Sequence, residues 1–359
     1  MAYSRDKPYN DLPLLPPNNS VFESIAVYKK LSQARAALAE LKGRLPIIPN
    51  PYMLINTLVL QEAKDSSEIE NVFTSADKMY RAFTSNRANV DSATKEVLSY
   101  RKALWEAFQE QQELSGWNLE WIVNIFKTVT ERDESLRSVQ VYIGNAYNTV
   151  YIPPESGGIL LEKINNWLKF ENMLDEIDPL IKMALLHYQF EAIHPFSDGN
   201  GRTGRILNVI YLTSQSLLEL PVLYISKHIL EYKTDYYRLL AEVTERGEWE
   251  EWILFMLEAV YQTSMFTLGK INAIFNLFTQ VTSVVKEKAE DIYSRELIEI
   301  IFSQPYCKIK FLVDNKIASR NTASKYLNRL SDLGILEPIQ EGNENLFLNK
   351  ELYKILAKN

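Results

Sequence analysis

A mainly α fold, with one inserted β-hairpin and a small C-terminal module, follows from three features of this 359-residue sequence. Apolar residues recur at three- and four-residue intervals through most of the chain, the period of an amphipathic helix. One stretch, Val139–Ile152, breaks that period and is rich in Val, Ile and Tyr. From about Val284 onward the pattern changes again, to short helices followed by two short β-like runs. Hydrophobic residues make up 46% and charged residues 24%, an ordinary globular balance. The length exceeds what one hydrophobic core usually serves, so more than one domain is expected.

The elements follow in order. Ser20 and Glu23 form a capping box before apolar Ile25, Leu31 and Leu38, and a turn is expected at Pro46–Pro51. Helices are expected at Lys95–Gln112, Leu119–Thr130, Leu160–Phe170, Leu180–Ile193, Thr203–Leu218, Thr234–Arg246 and Glu250–Phe275. Val139–Ile152 contains Gly144-Asn145 and ends at Pro153-Pro154, which gives a hairpin. Near the end, Ile309–Asn315 and Arg320–Asp332 are helices, with Ser319 as N-cap and Gly334 as C-terminal stop. Ile335–Ile339 and Leu346–Leu348 flank EGNEN as a two-stranded wing. This order suggests a winged-helix domain, its boundary near Thr282–Lys288 and inside a helix. The expected division is 1–110, 111–282 and 283–359.

Composition excludes several functions. A single cysteine, Cys307, rules out an intrachain disulfide and a Cys/His zinc cluster, and three histidines leave little for a histidine-rich metal site. Met1–Asn19 is polar and proline-rich, without the apolar core of a signal peptide, and Glu258 interrupts the apolar run Trp252–Tyr261. The expected location is cytoplasmic, with no membrane partner. The net charge of -7 argues against a wholesale nucleic-acid binder but averages over any basic module.

The densest chemistry lies in HPFSDGNGRTGR, His194–Arg205. Pro195 ends the incoming helix, Gly199, Asn200 and Gly201 form a loop, and a new helix starts near Arg202. Glycines ahead of a helix N-terminus let backbone N–H groups converge on an anion. Arg202 and Arg205 are forks for phosphate oxygens, Asp198 is a hard ligand for Mg²⁺, and His194 is the side chain suited to act as a base near neutral pH. By itself the segment suggests a polyphosphate site; it is neither a Walker A loop nor a dinucleotide fingerprint.

The segment matches the HxFx(D/E)GNGRxxR motif at every specified position and so resembles Fic-domain proteins. That resemblance implies a Fic fold, a helical core with a β-hairpin flap, and transfer of AMP from ATP to a Ser, Thr or Tyr hydroxyl of a target protein or of the enzyme itself. It implies His194 as general base, Phe196 as an anchor for the loop, and Asp198 as Mg²⁺ ligand. Gly199, Asn200 and Gly201 would bind the α- and β-phosphates and Arg202 and Arg205 the outer ones, with Thr203 and Gly204 also in the ATP site. Val139–Ile152 would be the flap, along which an extended target pairs. Tyr237, of the pair Tyr236-Tyr237, would lie beside the adenine.

Upstream, Ser66-Ser67-Glu68-Ile69-Glu70-Asn71 matches the (S/T)xxxE(G/N) motif of family members with an inhibitory helix. The resemblance implies that Ser66 and Glu70 are inhibitory, with Glu70 reaching Arg205 at the γ-phosphate position. In some members the same glutamate serves removal of AMP, so the direction of the reaction stays open.

For the C-terminal module two readings stand level. One is DNA contact through Arg320, Asn321, Lys325, Asn328 and Arg329; the other is a protein or dimer contact, and a homodimer is among the expected partners. The rivals to an adenylyltransferase are a nucleotide-sensing DNA-binding regulator and a relative that transfers another phosphate-containing group.

Overall fold

The computed structural model describes residues 3–47, 51–85, 90–145, 148–341 and 344–358. Among these, helices α1 (Ile25–Arg44), α2 (Pro51–Ile69), α3 (Ala76–Ser85), α4 (Ser92–Gln111) and α5 (Leu119–Thr130) precede strands β1 (Ile143–Asn145) and β2 (Asn148–Tyr151). Helices α6 (Gly158–Glu171), α7 (Pro179–Ile193), α8 (Asn200–Ser214), α9 (Ile225–Glu231), α10 (Lys233–Arg246) and α11 (Trp249–Lys288) follow. The chain ends with α12 (Arg295–Phe302), β3 (Tyr306–Lys308), α13 (Ile309–Asp314), α14 (Arg320–Asp332), β4 (Glu337–Glu341), β5 (Glu344–Leu348) and α15 (Lys350–Ala357). No helix among the described residues is long and apolar enough to cross a membrane.

The centre of the body is α7. Asp178 caps it by accepting from the Leu180 N–H at 2.9 Å, Pro179 supplies a preset first turn, and every helical residue except Pro179 and Glu191 is buried. A helix apolar on all sides belongs inside a protein. It packs on α6, α8 and α11, and Trp167 and Trp252 donate their indole N–H groups to the Leu186 and Ala184 carbonyls at 2.8 and 2.9 Å. Burying side chains of this size contributes about 1.5–3 kcal/mol each. A rigid α7 fixes where its last residue, and the loop that follows, must stand.

Several expectations shift. The cap of α1 is Ser24, which accepts from the Val27 N–H at 3.2 Å, and not Ser20; residues 19–21 form a 3-10 turn. That register leaves Ile25 88% exposed, outside the buried face of Val27, Leu31, Ala34, Leu38 and Leu41. Helix α8 starts at Asn200, because Gly199 takes φ +68° and serves as its N-cap, and it stops at Ser214 before Ser216 at φ +55°. The hairpin strands are shorter than Val139–Ile152, and Gly144-Asn145 belong to β1 instead of the turn; residues 146–147 lie outside the described residues. The start of the expected Pro46–Pro51 turn is a 3-10 turn, and residues 48–50 lie outside the described ones.

Helix α11 runs on past Phe275 to Lys288, because Val281 and Val285 keep its buried stripe going. At 1.5 Å per residue it is about 60 Å long, so one unbroken helix joins the helical body to the C-terminal module and passes through the expected 282/283 boundary. The module itself is a three-stranded antiparallel sheet of order β3-β5-β4 packed with α12–α15; β3, α12 and α15 have no counterpart in the sequence reading. The wing strands are Glu337–Glu341 and Glu344–Leu348. Ser319 stands at the N-cap of α14, but its hydroxyl pairs with that of Thr322 at 3.0 Å instead of a backbone N–H. Gly334 at φ +73° ends the helix with the Gly334 N–H on the Ser331 carbonyl and the Ile335 N–H on the Leu330 carbonyl. The module docks on α3 and α11: Arg81 of α3 bonds Glu341 at 3.2 Å and lies 4.9 Å over the Tyr306 ring, and Lys270 of α11 donates to the Leu356 carbonyl at 2.9 Å.

Candidate active site

The site begins where α7 ends. His194 adopts φ +49°, a left-handed conformation uncommon for a residue with a side chain, and its N–H still bonds the Phe190 carbonyl at 3.0 Å. Pro195 then carries the chain away. Phe196 is fully buried and stacks on Phe126 with centroids 4.1 Å apart. The Asn200 amide closes the loop on itself, accepting from the Phe196 N–H at 2.9 Å and donating to the Phe196 carbonyl at 3.0 Å. Arg137 clamps the loop from outside. Its backbone N–H bonds the Pro195 carbonyl, and its guanidinium donates to the carbonyls of His194 at 2.9 Å, Ile193 and Pro154.

The His194 imidazole is half-buried. Its Nδ1 lies 3.4 Å from the Glu191 carbonyl, an acceptor only, so Nδ1 carries the proton there and Nε2 keeps its lone pair. Burial, with the charge of Arg137 adding to it, pushes the imidazole down to about 4. At neutral pH it is an unprotonated base.

Facing it is the end of α2. Ser66 is buried in that helix and Glu70 lies just past it. Asn71 takes φ +63°, with its N–H on the Glu68 carbonyl and the Val72 N–H on the Ser67 carbonyl. This left-handed stop explains why Asn or Gly suits that position. It aims Glu70 at Arg205, whose Nη2 donates to Glu70 Oε1 at 2.8 Å and to the Ser66 carbonyl at 3.0 Å, while Nε donates to Ser66 Oγ at 2.8 Å. The Arg205 side chain is 1% exposed and that of Glu70 35%. Burial raises the Glu70 carboxyl, but the Arg205 guanidinium outweighs it and holds it below its ordinary value. Gly201 passes directly beneath: a Cβ there would lie 2.4 Å from Glu70 Oε1 and 2.7 Å from Arg205 Nη1.

His194, Glu70, Gly201, Arg205 and Tyr237 line one cavity of about 410 Å³, walled also by β1, β2 and α10. That size suits a nucleotide-sized ligand. Tyr237 is 46% exposed, whereas Tyr236 is buried, with its hydroxyl 2.9 Å from His187 Nε2.

Not every expected residue reaches this cavity. Asp198 and Arg202 line a second recess of about 260 Å³ with Glu96, Lys95 and Arg132. There Arg202 is ion-paired to Glu96, and Asp198 lies 3.2 Å from Arg132. The Gly199 N–H is taken by Asp198 Oδ1 at 2.7 Å, and the Asn200 side chain is committed to the loop. Thr203 is wholly buried and away from the cavity, because it points into the packed face of α8. Gly204 is a packing position: a Cβ there would lie 2.8 Å from Glu191 Oε1 and 3.2 Å from the Phe190 ring. Neither Thr203 nor Gly204 lines the cavity in this arrangement.

Arg137, Glu96 and Glu191 belong to the site's surroundings without a signal in the sequence reading. Glu191 lines the cavity with Oε1 unpartnered, and burial pushes its carboxyl up to about 7. Its place three residues before His194, on the same helix, was the available clue.

Among the described residues no group of three or more His, Cys, Asp or Glu side chains is placed to hold a metal. The Asp198 carboxylate is about half exposed and is a single hard oxygen donor. Such a donor fits a cation whose other ligands are phosphate oxygens and water.

Three family models match the chain: the Fic/DOC family N-terminal region over residues 28–109, the Fic/DOC family over 116–212, and the C-terminal domain of protein adenylyltransferase SoFic-like over 277–352. The chain carries Fic/DOC family domains. The Fic match spans the His194–Arg205 loop, and the N-terminal match spans Ser66–Asn71. A probable protein adenylyltransferase of Aquifex aeolicus is 31% identical over 170 residues, 46% of this chain and 51% of that protein. Protein adenylyltransferase fic-1 of Caenorhabditis elegans is 41% identical over 80 residues, 22% of this chain and 15% of that one. The chain thus spans about half the length of the Aquifex relative and less of the other. In structure it is similar to a Fic family protein from Desulfovibrio desulfuricans, with TM-score 0.57 and 19% identity over 89% of this chain and 96% of that one. Fic-1 of C. elegans, residues 134–508, gives TM-score 0.53 and 19% identity over 68% and 72%. At these identities the likeness shows the Fic fold.

Proposed function

We propose that the chain is a protein adenylyltransferase, restrained by Glu70, that transfers AMP from ATP to a hydroxyl of a target protein. The observation that carries this reading is the placement of an unprotonated His194 in one cavity with the Glu70–Arg205 pair, Gly201 and Tyr237. A target hydroxyl attacks the α-phosphorus, its proton passes to His194 Nε2, and pyrophosphate leaves. Tyr237 stacks on the adenine and Arg205 takes the outer phosphate once Glu70 has moved aside. Asp198 would hold Mg²⁺ arriving with the nucleotide, and that ion would offset phosphate charge. Arg202 meets the nucleotide from the recess on the far side of the loop. The chain divides into an N-terminal helical region (1–110), the Fic domain (111–282) and a C-terminal winged helix (283–359).

The test uses ATP labelled at either the α- or the γ-phosphate, with the Glu70→Gly chain. Label retained on protein from the α position and not from the γ position is expected. Retention of γ-label would make the reaction phosphoryl transfer and overturn the proposal.

A second activity is favoured by one observation on the C-terminal module. Arg320, Asn321, Lys325, Asn328 and Arg329 all lie exposed on α14, and a cleft beside them is lined by Lys308, Lys310 and Arg320 against Glu344 alone. This face suits a nucleic-acid backbone. A mobility shift with nonspecific duplex at low salt, lost as salt rises, is expected; no shift at low salt leaves protein contact as the role of this face.

A further inference from the structure

We propose that the Tyr3 hydroxyl is a site of self-adenylylation in cis, an inference that rests on the adenylyl-transfer reading above. Residues 3–10 lie along the second strand of the hairpin. The Tyr9 N–H donates to the Ile152 carbonyl at 3.0 Å, the Glu155 N–H donates to Asn10 Oδ1 at 2.9 Å, and the Tyr3 hydroxyl donates to the Val150 carbonyl at 3.2 Å. Across the cavity, Arg5 bonds Glu245 of α10 at 2.5 Å. The segment is therefore tied to both walls, and Tyr3 lines the same cavity as His194, Gly201 and Arg205.

Other hydroxyls on that wall are committed elsewhere. Tyr151 donates to the Ala192 carbonyl at 2.7 Å, Tyr188 pairs with Thr244 at 2.9 Å, and Tyr236 pairs with His187 at 2.9 Å, deep in the body. Tyr237 is held by the regular backbone of α10. Tyr3 differs in what holds it. Arg5 and Glu245 are 57% and 30% exposed, and an ion pair so open to water is weak. The Tyr3 ring stacks on Tyr151 at 6.0 Å, and its hydroxyl bond is a single long one. A small swing about these contacts moves the phenol without disturbing a helix.

The chemistry balances. Tyr3 Oη forms a bond to the α-phosphorus of ATP, the bond from that phosphorus to the bridging oxygen breaks, and pyrophosphate leaves with the electron pair. The phenolic proton goes to His194 Nε2. Partial burial raises the Tyr3 phenol above its ordinary value, so it enters the reaction protonated and needs such a base.

The experiment incubates the Glu70→Gly chain with ATP and Mg²⁺, then maps tryptic peptides by mass. AMP on the peptide ending at Arg5 is expected, at a first-order rate independent of protein concentration. In the Glu70→Gly chain carrying Tyr3→Phe, the adduct should fall at least about tenfold. An adduct that maps elsewhere, survives Tyr3→Phe, or forms at a rate rising with protein concentration overturns the inference and leaves the adenylyl-transfer reading standing. Absence of any adduct overturns both.

Discussion

Arg205 Nη2 lies 2.8 Å from Glu70 Oε1, and this pair occupies the space in which a side chain on residue 201 would stand. One buried cation thus has a carboxylate against it, in the place the proposed function gives to a phosphate. Two further donations from Arg205 go to the hydroxyl and carbonyl of Ser66 in the same short segment, so the end of α2 and the start of α8 behave as one latch.

Removing the carboxylate should open that latch. Glu70→Gly is expected to raise ATP-dependent self-labelling about 10- to 100-fold, since a charge-assisted hydrogen bond is worth about 1.5–3 kcal/mol. Glu70→Gln keeps the shape without the charge and should fall between wild type and glycine. Initial labelling rates measure both.

Acidity gives a second handle. Because the Glu70 carboxyl is held below its ordinary value, the latch is fully present above the usual carboxylate range and is lost only as pH falls through the depressed value. Raising the pH from about 6 to about 8 should therefore not release wild type. His194 works in the same window: pushed down to about 4, it stays unprotonated, so the Glu70→Gly chain should show a flat rate over that span and an acid limb well below the usual histidine range. A pH–rate profile checks both.

Much of this was legible in short-range sequence. His194–Arg205 and Ser66–Asn71 each place chemistry and backbone geometry within a dozen residues, and Asn71 at φ +63° shows that even the last letter of the second motif is a conformational demand. What escaped lies at long range. Arg137 reaches loop carbonyls 56 and 57 positions away, and Glu96 meets Arg202 across 106. No local pattern marks such partners. Thr203 and Gly204 do not line the cavity, because a helix starting at Asn200 turns them into the core. Ile25 failed because a cap at Ser24 rotates it outward.

The Arg137 clamp is open to direct test. Arg137→Ala leaves the carbonyls of His194, Ile193 and Pro154 without this donor, at about 1–3 kcal/mol for each one left unsatisfied. A lower melting temperature and at least about tenfold slower labelling in the Glu70→Gly background are expected. Arg137→Lys should not restore the rate, because an ammonium cannot span carbonyls that a guanidinium fork reaches together.

Gly201 separates latch from cradle. Gly201→Ala must displace Glu70 or Arg205, so it loosens the latch, yet the same methyl crowds the phosphate site. Self-labelling should stay low in the single variant and fall at least about tenfold when Gly201→Ala is added to Glu70→Gly.

The central claim is that His194 serves as the base for AMP transfer once Glu70 releases Arg205. Intact-mass analysis after incubation with ATP and Mg²⁺ tests it most directly, on wild type, Glu70→Gly, and Glu70→Gly with His194→Ala. One added AMP on the single variant, little on wild type and none on the double variant is the predicted result. An unmodified Glu70→Gly chain, or equal modification with and without His194, would contradict it.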